Sequence, residues 1–185
     1  MCNRGTVHRS ADYLEGQIEH VQAAPSRVGS VELVVCRPAV DERSILTTGR
    51  LIRGQGLEGD NYVERGNART PDGRAHPLAE LTLMSSRAVG AVAGPDRDRW
   101  ALAGDQLIVD FDLSLQNAPA GTRLEVGTAL IEVTTKPHRG CAKFTERFGI
   151  DAARWVNSRD DLRMRGINAI VVTDGIVAPG DSISK

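Results

Sequence analysis

Aromatic residues are few: Phe, Tyr and Trp together make up 4% of the 185 residues. Any core must therefore rest on Val, Ile, Leu and Ala. An excess of charge of either sign is also missing, with 23 Lys and Arg against 24 Asp and Glu. That balance lacks the basic footprint of a nucleic-acid-binding domain, so no nucleic-acid partner is expected. Cysteine is scarce, at positions 2, 36 and 141. An odd number at wide spacing does not build a disulfide framework, and without a C-x-x-C a structural zinc site has no ligand set. No window approaches the roughly 18–20 apolar residues of a spanning helix. The first thirty residues, with Asp12, Glu15 and Glu19, lack the apolar stretch of a signal peptide. The expectation is a cytoplasmic protein in a reducing compartment, without a membrane partner.

Several catalytic patterns are absent as well. Ser85-Ser86 lies in no G-x-S-x-G elbow. His8, His20 and His76 show no H-E-x-x-H spacing, and no Walker pattern occurs. Gly54-Gln55-Gly56-Leu57-Glu58-Gly59 does spell G-x-G-x-x-G. A dinucleotide site needs a long helix after that pattern so that its N-terminus meets the pyrophosphate. Here Asp60-Asn61-Tyr62 and then Gly66, Pro71 and Gly73 follow, so the run is read as a bend between strands. Asp60, Asp105, Asp110 and Asp112 are too dispersed to argue a carboxylate pair.

What is present is a rhythm of short β-rich runs. Glycine supplies 19 residues, and Gly with Pro punctuates the chain. Residues 31–36 read as a strand closed by Pro38, and 44–52 as a second candidate. Leu81–Met84 reads as a strand, followed by a helix from Ser85 to about Val92, with the Ser85 hydroxyl as its N-cap acceptor. Residues 106–111 read as a strand. Arg123–Val126 and Ala129–Thr135 form a hairpin about Gly127-Thr128. Phe144, Phe148, Ala152 and Trp155 recur at helical spacing, predicting a helix over 141–156 broken at Gly149. Strands return between Gly166 and Ser184. The order is mainly β with a few helices, and many short strands with Gly turns suggest a barrel, which leaves no open edge. Residues 1–30 are read as an N-terminal arm, partly ordered, and 31–185 as one barrel domain.

Cys141 has chemical company that the other cysteines lack. It lies in Pro137-His138-Arg139-Gly140-Cys141-Ala142-Lys143-Phe144, with Arg147, Arg163 and Arg165 further on. The thiolate is the reactive form of cysteine, and neighbouring cations and a helix start favour it. The same charges attract an anion. His138 can serve as a base or a donor near neutral pH. The plain alternative for Cys141 is a small hydrophobe packed at a helix start, and for Cys2 and Cys36 packing is the favoured reading.

These residues resemble a known family. Gly56-Leu57-Glu58-Gly59-Asp60, Gly104-Asp105-Gln106-Leu107, Gly121-Thr122-Arg123-Leu124-Glu125-Val126-Gly127, the Cys141 block, Arg165-Gly166-Ile167-Asn168-Ala169 and Pro179-Gly180-Asp181 are similar to the MOSC domain, the molybdenum cofactor sulfurase C-terminal domain. The resemblance spans about residues 31–183 and implies a MOSC-type β-barrel. It implies that Cys141 carries sulfur as a persulfide or contacts molybdenum, the role of both catalytic residue and metal ligand. With it come a molybdenum cofactor (molybdopterin), an anion pocket of Arg139, Lys143, Arg163 and Arg165, and a catalytic or tuning role for His138. The implied partners are a sulfur donor such as a cysteine desulfurase, and a molybdoenzyme or redox partner. The chain has no pyridoxal phosphate site, so it can hold sulfur but shows no means of generating it. Two alternatives stand beside this reading. One is a molybdenum-dependent reductase component acting on N-hydroxylated compounds. The other is a non-catalytic binding or scaffold barrel, in which Cys141 would be buried.

Overall fold

The computed structural model describes residues 8–68 and 70–185. Eleven strands occur among them. They are β1 (Val28–Cys36), β2 (Ser44–Leu46), β3 (Gly49–Ile52), β4 (Gly56–Leu57), β5 (Leu81–Ser85), β6 (Leu107–Asp110), β7 (Arg123–Val126), β8 (Ala129–Val133), β9 (Ile167–Thr173), β10 (Gly175–Val177) and β11 (Ser182–Ser184). The helices are short: α1 (Ala11–Glu15), α2 (Ile18–Gln22), α3 (Tyr62–Arg65), α4 (Ser86–Ala93), α5 (Arg97–Ala101), α6 (Ala142–Phe148) and α7 (Ile150–Val156).

Seven strands close a barrel in the order β11-β7-β8-β9-β5-β6-β1, with β1 returning to β11. β2 adds to the C-terminal end of β1, at Val34–Cys36, and β10, β3 and β4 form a separate small sheet. The pairings of the ring are antiparallel except β5 with β6. A parallel neighbour needs a crossover, and α4 and α5 supply it on the barrel's outer wall. Burial follows from this covering. β7 alternates exposed and buried residues, Arg123 and Glu125 out, Leu124 and Val126 in, because its outer face meets water. β5 is buried at every position, because helices cover its outer face.

Two apolar clusters result. Val31, Val34, Leu83, Val109, Phe111, Leu124 and Ile131 are among those filling the barrel. Leu33, Val35, Met84, Val89, Phe144, Phe148 and Trp155 join the outer wall to the helices. Val31 and Leu33 belong to different clusters although two residues apart, which a regular strand forbids. The ladder between β1 and β6 shifts register between Val31 and Leu33, and this bulge reverses the strand's facing.

The expected hairpin at Gly127-Thr128 is present, with Val126 opposite Ala129. The expected helix over 141–156 is two helices parted at Gly149, whose φ of 91° suits glycine. A Cβ there would lie 2.9 Å from the His8 ring. Gly56 approaches the chain so closely that a Cβ would meet the Glu80 carbonyl oxygen at 2.3 Å, which makes the Gly-rich run a bend in the small sheet.

Two expectations take on detail from the structure. The stretch read as an arm over residues 1–30 carries helices from Ala11 onward, with Leu14 and Val21 buried in the outer cluster, and residues 28–30 pair with β11. Cys2 lies outside the described residues. Ser85 does precede α4, but its hydroxyl caps nothing and is buried without a partner. Among the described residues no helix is long and apolar enough to cross a membrane.

Candidate functional site

Cys141 is the exposed residue immediately before α6, in extended backbone at φ −107° and ψ 179°. Its carbonyl accepts the first helical bond, from the Thr145 N–H at 3.1 Å. The segment leading to it, 134–141, is a strap held from below. The Asn168 amide, in a buried side chain, donates to the carbonyls of Lys136 at 3.1 Å and Pro137 at 3.2 Å. The Gly140 N–H donates to Asn157 Oδ1 at 2.9 Å. A Cβ at Gly140 would press on the Asn157 amide at 3.0 Å. The position of Cys141 is therefore fixed by two asparagines from β9 and the end of α7.

Two pockets draw on the strap and on the helix that follows it. One is a cleft of about 210 Å³ whose lining includes Lys136, His138, Arg139, Arg163, Arg165 and Asn168. The other, of about 200 Å³, is lined by Arg37, Asp41, Arg43, Asn61, Arg65 and Lys143 among others. The expected anion pocket of Arg139, Lys143, Arg163 and Arg165 is thus divided. Three of its members share the first cleft, and Lys143 lies on the second. Cys141 lines neither and sits on the chain between them.

The cations differ in how they are engaged. Arg139 pairs with Asp160 at 2.5 Å, which holds the exposed Asp160 carboxyl below its ordinary range. Lys143 and Arg147 share Asp41 Oδ1 at 2.6 and 2.9 Å, and the Lys143 hydrogen bond likewise lowers Asp41. Arg163 has a positive φ of 48° and donates to the Ala118 carbonyl at 2.6 Å. It has no carboxylate partner among the described residues, and burial pushes its guanidinium down. Arg165 is buried and pairs with the buried Asp105 at 2.7 Å. It also donates to the Ala103 carbonyl at 3.0 Å and lies over the Phe144 ring.

His138 faces the other side of Asp105, its Nδ1 3.5 Å from Oδ1. That separation is too long for a well-formed hydrogen bond. His138 Nδ1, Asp105 Oδ1 and Arg165 Nε are all buried without a partner. Burial, with Arg165, Arg37 and Lys136 nearby, holds His138 well below the usual imidazole range, so it is neutral at pH 7. Burial pushes the Asp105 carboxyl up, and Arg165 works against that. The charged groups around His138 are these, and no contact joins it to the Cys141 thiol.

Sequence reasoning passed over Asp105 and Asp60 as dispersed acids. The structure gives each a buried arginine: Asp60 takes Arg37 through two bonds of 2.8 Å. Arg37 also donates to the Gly104 carbonyl at 2.9 Å, next to Asp105. The Gly-Asp dipeptides 59–60 and 104–105 were the visible signal for this pair of anchors. Cys36 is buried inside the barrel, and burial raises its thiol. Cys141 is exposed, which is the opposite of what a scaffold barrel predicted. Among the described residues no group of three or more His, Cys, Asp or Glu side chains is placed to hold a metal ion.

Comparison with known proteins adds the lineage. No curated protein matches the chain. Among solved structures, it is similar to the YUAD protein from Bacillus subtilis, at 17% identity over 84% of this chain and 94% of that one, with a TM-score of 0.61. It is also similar to YiiM from Escherichia coli, at 19% identity over 84% and 68% of the two chains, with a TM-score of 0.54. At these identities the likeness establishes the barrel fold. The family described as MOSC domain matches residues 81–184, which include the barrel from β5 onward, the strap and Cys141. With more than half of its length matched, the chain belongs to the MOSC domain family.

Proposed function

We propose that this protein handles sulfur or a molybdenum cofactor at Cys141. The observation that carries the reading is an exposed thiol on a strap that two asparagines, Asn157 and buried Asn168, fix next to residues lining a cationic cleft. A fixed, accessible thiolate is both a soft metal ligand and a nucleophile.

As a sulfur carrier, Cys141 attacks the terminal sulfur of a donor persulfide. The donor's S–S bond breaks, its thiolate leaves, and the sulfur stays on Cys141 as a persulfide. The exchange needs no outside oxidant. A cysteine desulfurase is a donor of the right chemistry.

The residues also suit a molybdenum–pterin cofactor. A metal carried on its own organic ligand needs little more from the protein than one thiolate. His138 and Arg165, which line the cleft, each carry a buried nitrogen that lacks a partner, so the polar network at its wall is not closed. Arg163 has no carboxylate partner among the described residues and Lys136 lines the same cleft, so an anionic tail has donors. At about 210 Å³ the cleft takes one end of such a ligand, since whole small-molecule sites run about 300–1,000 Å³. When bound, the group would supply the redox or sulfur-accepting centre. The chain's own residues would orient it: Arg163 and Lys136 by charge, neutral His138 by a hydrogen bond, and Cys141 by ligation.

The test is direct. Wild type and Cys141→Ala are purified in parallel, then assayed for cyanide-releasable sulfur after incubation with a desulfurase and cysteine, and for bound molybdenum. Loss of either signal in the variant is the expected result. Equal values in both proteins for both assays would refute the reading.

A further inference from the structure

A groove of about 480 Å³ runs along α4 on the outer wall of the barrel, a volume within the range of small-molecule sites. It shares no lining residue with the cleft of His138 or the pocket of Lys143. From α4 come Ser86, Gly90 and Gly94, spaced by four and so on one face. Tyr13 of α1 and Trp100 of α5 add two aromatic rings, and Tyr13 is 41% exposed. The carboxylates that line the groove are already neutralised, Asp110 by Arg87 at 2.6 Å and Glu32 by Arg97 at 2.9 Å. Arg9 is not. Its guanidinium lies over the Tyr13 ring, 4.8 Å from the centroid, and has no carboxylate partner among the described residues.

Two further observations point to a ligand. Ser86 is only 8% exposed, yet its hydroxyl makes no hydrogen bond among the described residues. A buried hydroxyl without a partner is unusual in a folded chain. Gly90 stands in the interior of α4, where alanine is the better helix former. Its φ is not positive, and a Cβ there would come no nearer than 3.5 Å to the Trp100 ring, an ordinary contact. Neither the backbone nor a neighbour in the fold requires glycine at this position. What the missing side chain keeps open is the groove.

We propose that this groove binds a small aromatic carboxylate with a hydroxyl at its far end. The ring lies on Gly90 against the Tyr13 and Trp100 side chains, the carboxylate meets Arg9, and the hydroxyl meets Ser86. Ser86 and Gly94 are eight residues apart, about 12 Å along a helix, which suits two fused rings better than one.

The probe is 6-hydroxy-2-naphthoate, titrated into the full chain labelled with nitrogen-15. The Trp100 indole N–H donates to the Gly94 carbonyl at 2.6 Å, so its signal reports on the groove, and buried Trp155 serves as the internal control. A saturable shift of the Trp100 signal alone is expected. Arg9→Gln and Tyr13→Ala should each weaken binding about tenfold. Gly90→Ala should weaken it at least as much while raising the melting temperature by about 1–4 °C, a combination that misfolding cannot produce. Wild type should prefer the probe to 2-naphthoate, which lacks the hydroxyl, and Ser86→Ala should bind the two alike. Cys141→Ser should bind as wild type does. Absence of a saturable Trp100 shift overturns the proposal. So do Arg9→Gln or Gly90→Ala proteins that bind as wild type does, a Ser86→Ala protein that keeps the preference, or a Gly90→Ala protein that melts below wild type and so shows that the fold itself needs the glycine.

Discussion

Arg165 lines the candidate cleft, yet its bonds are made to the protein. Replacing it with Met removes the 2.7 Å pair with Asp105 and the donor to the Ala103 carbonyl, and leaves Asp105 buried with no cation on that side. Removing one partner of a buried pair costs about 3–5 kcal/mol. At this chain length each kcal/mol moves the melting temperature by about 2–4 °C, so a fall on the order of 6–20 °C is expected. Arg165→Met, Asp105→Leu and the double variant are compared with wild type by urea unfolding followed by circular dichroism. The double variant should be more stable than either single one, because it leaves no orphaned charge. The pH dependence has a definite sign. Without Arg165, the folded-state Asp105 rises further above its unfolded value of about 3.9, so the folded state binds the extra proton and the variant's deficit shrinks as pH falls. A cost below about 1 kcal/mol would refute the reasoning. A double variant whose loss equals the two single losses added would refute it as well.

Other expectations follow from the same geometry. His138 is held neutral in the fold but charges near pH 6.5 when unfolded, so stability should fall as pH drops below that value, by up to about 1.4 kcal/mol per pH unit. His138→Gln should flatten that slope in pH-dependent urea midpoints, and an unchanged slope would count against it. Iodoacetamide mapped by mass spectrometry should label exposed Cys141 at least about tenfold faster than buried Cys36, whose thiol burial raises; equal rates would contradict the placement of the strap. Asn168→Ala removes the donor to two strap carbonyls and should cost about 1–3 kcal/mol. The same change should speed tryptic cleavage after Arg139, and an unaltered digestion pattern would show that Asn168 does not hold the strap.

Much of the fold was legible because it is local. The β7–β8 hairpin follows from Gly127 between two alternating runs, and the break in the last helix pair from a glycine at the point where the apolar stripe pauses. Alternation on β7 is clean because one side meets water. The short helices α1, α2 and α5 were not legible. Five residues give too little periodicity, and each is stabilised by one or two buried anchors such as Leu14, Val21 and Ala101, whose burial depends on distant strands. The bulge in β1 was hidden too, since nothing in Val31-Glu32-Leu33 marks which side of the wall each residue faces.

By itself the sequence determined that the chain is strand-rich, that its turns fall at particular glycines, and that Cys141 is the cysteine with cations around it. It also carried the resemblance that the family match over residues 81–184 bears out. Tertiary structure decided which of those cations are free. Arg165 belongs to Asp105 across 60 residues of chain, Arg37 to Asp60 across 23, and Lys143 to Asp41 across 102. The reason is physical: a charge's role depends on what neutralises it within a few ångströms, and closure of the barrel sets those neighbours. The same closure placed Cys141 in the open and sent the cations around it to line two pockets, where the sequence had suggested one.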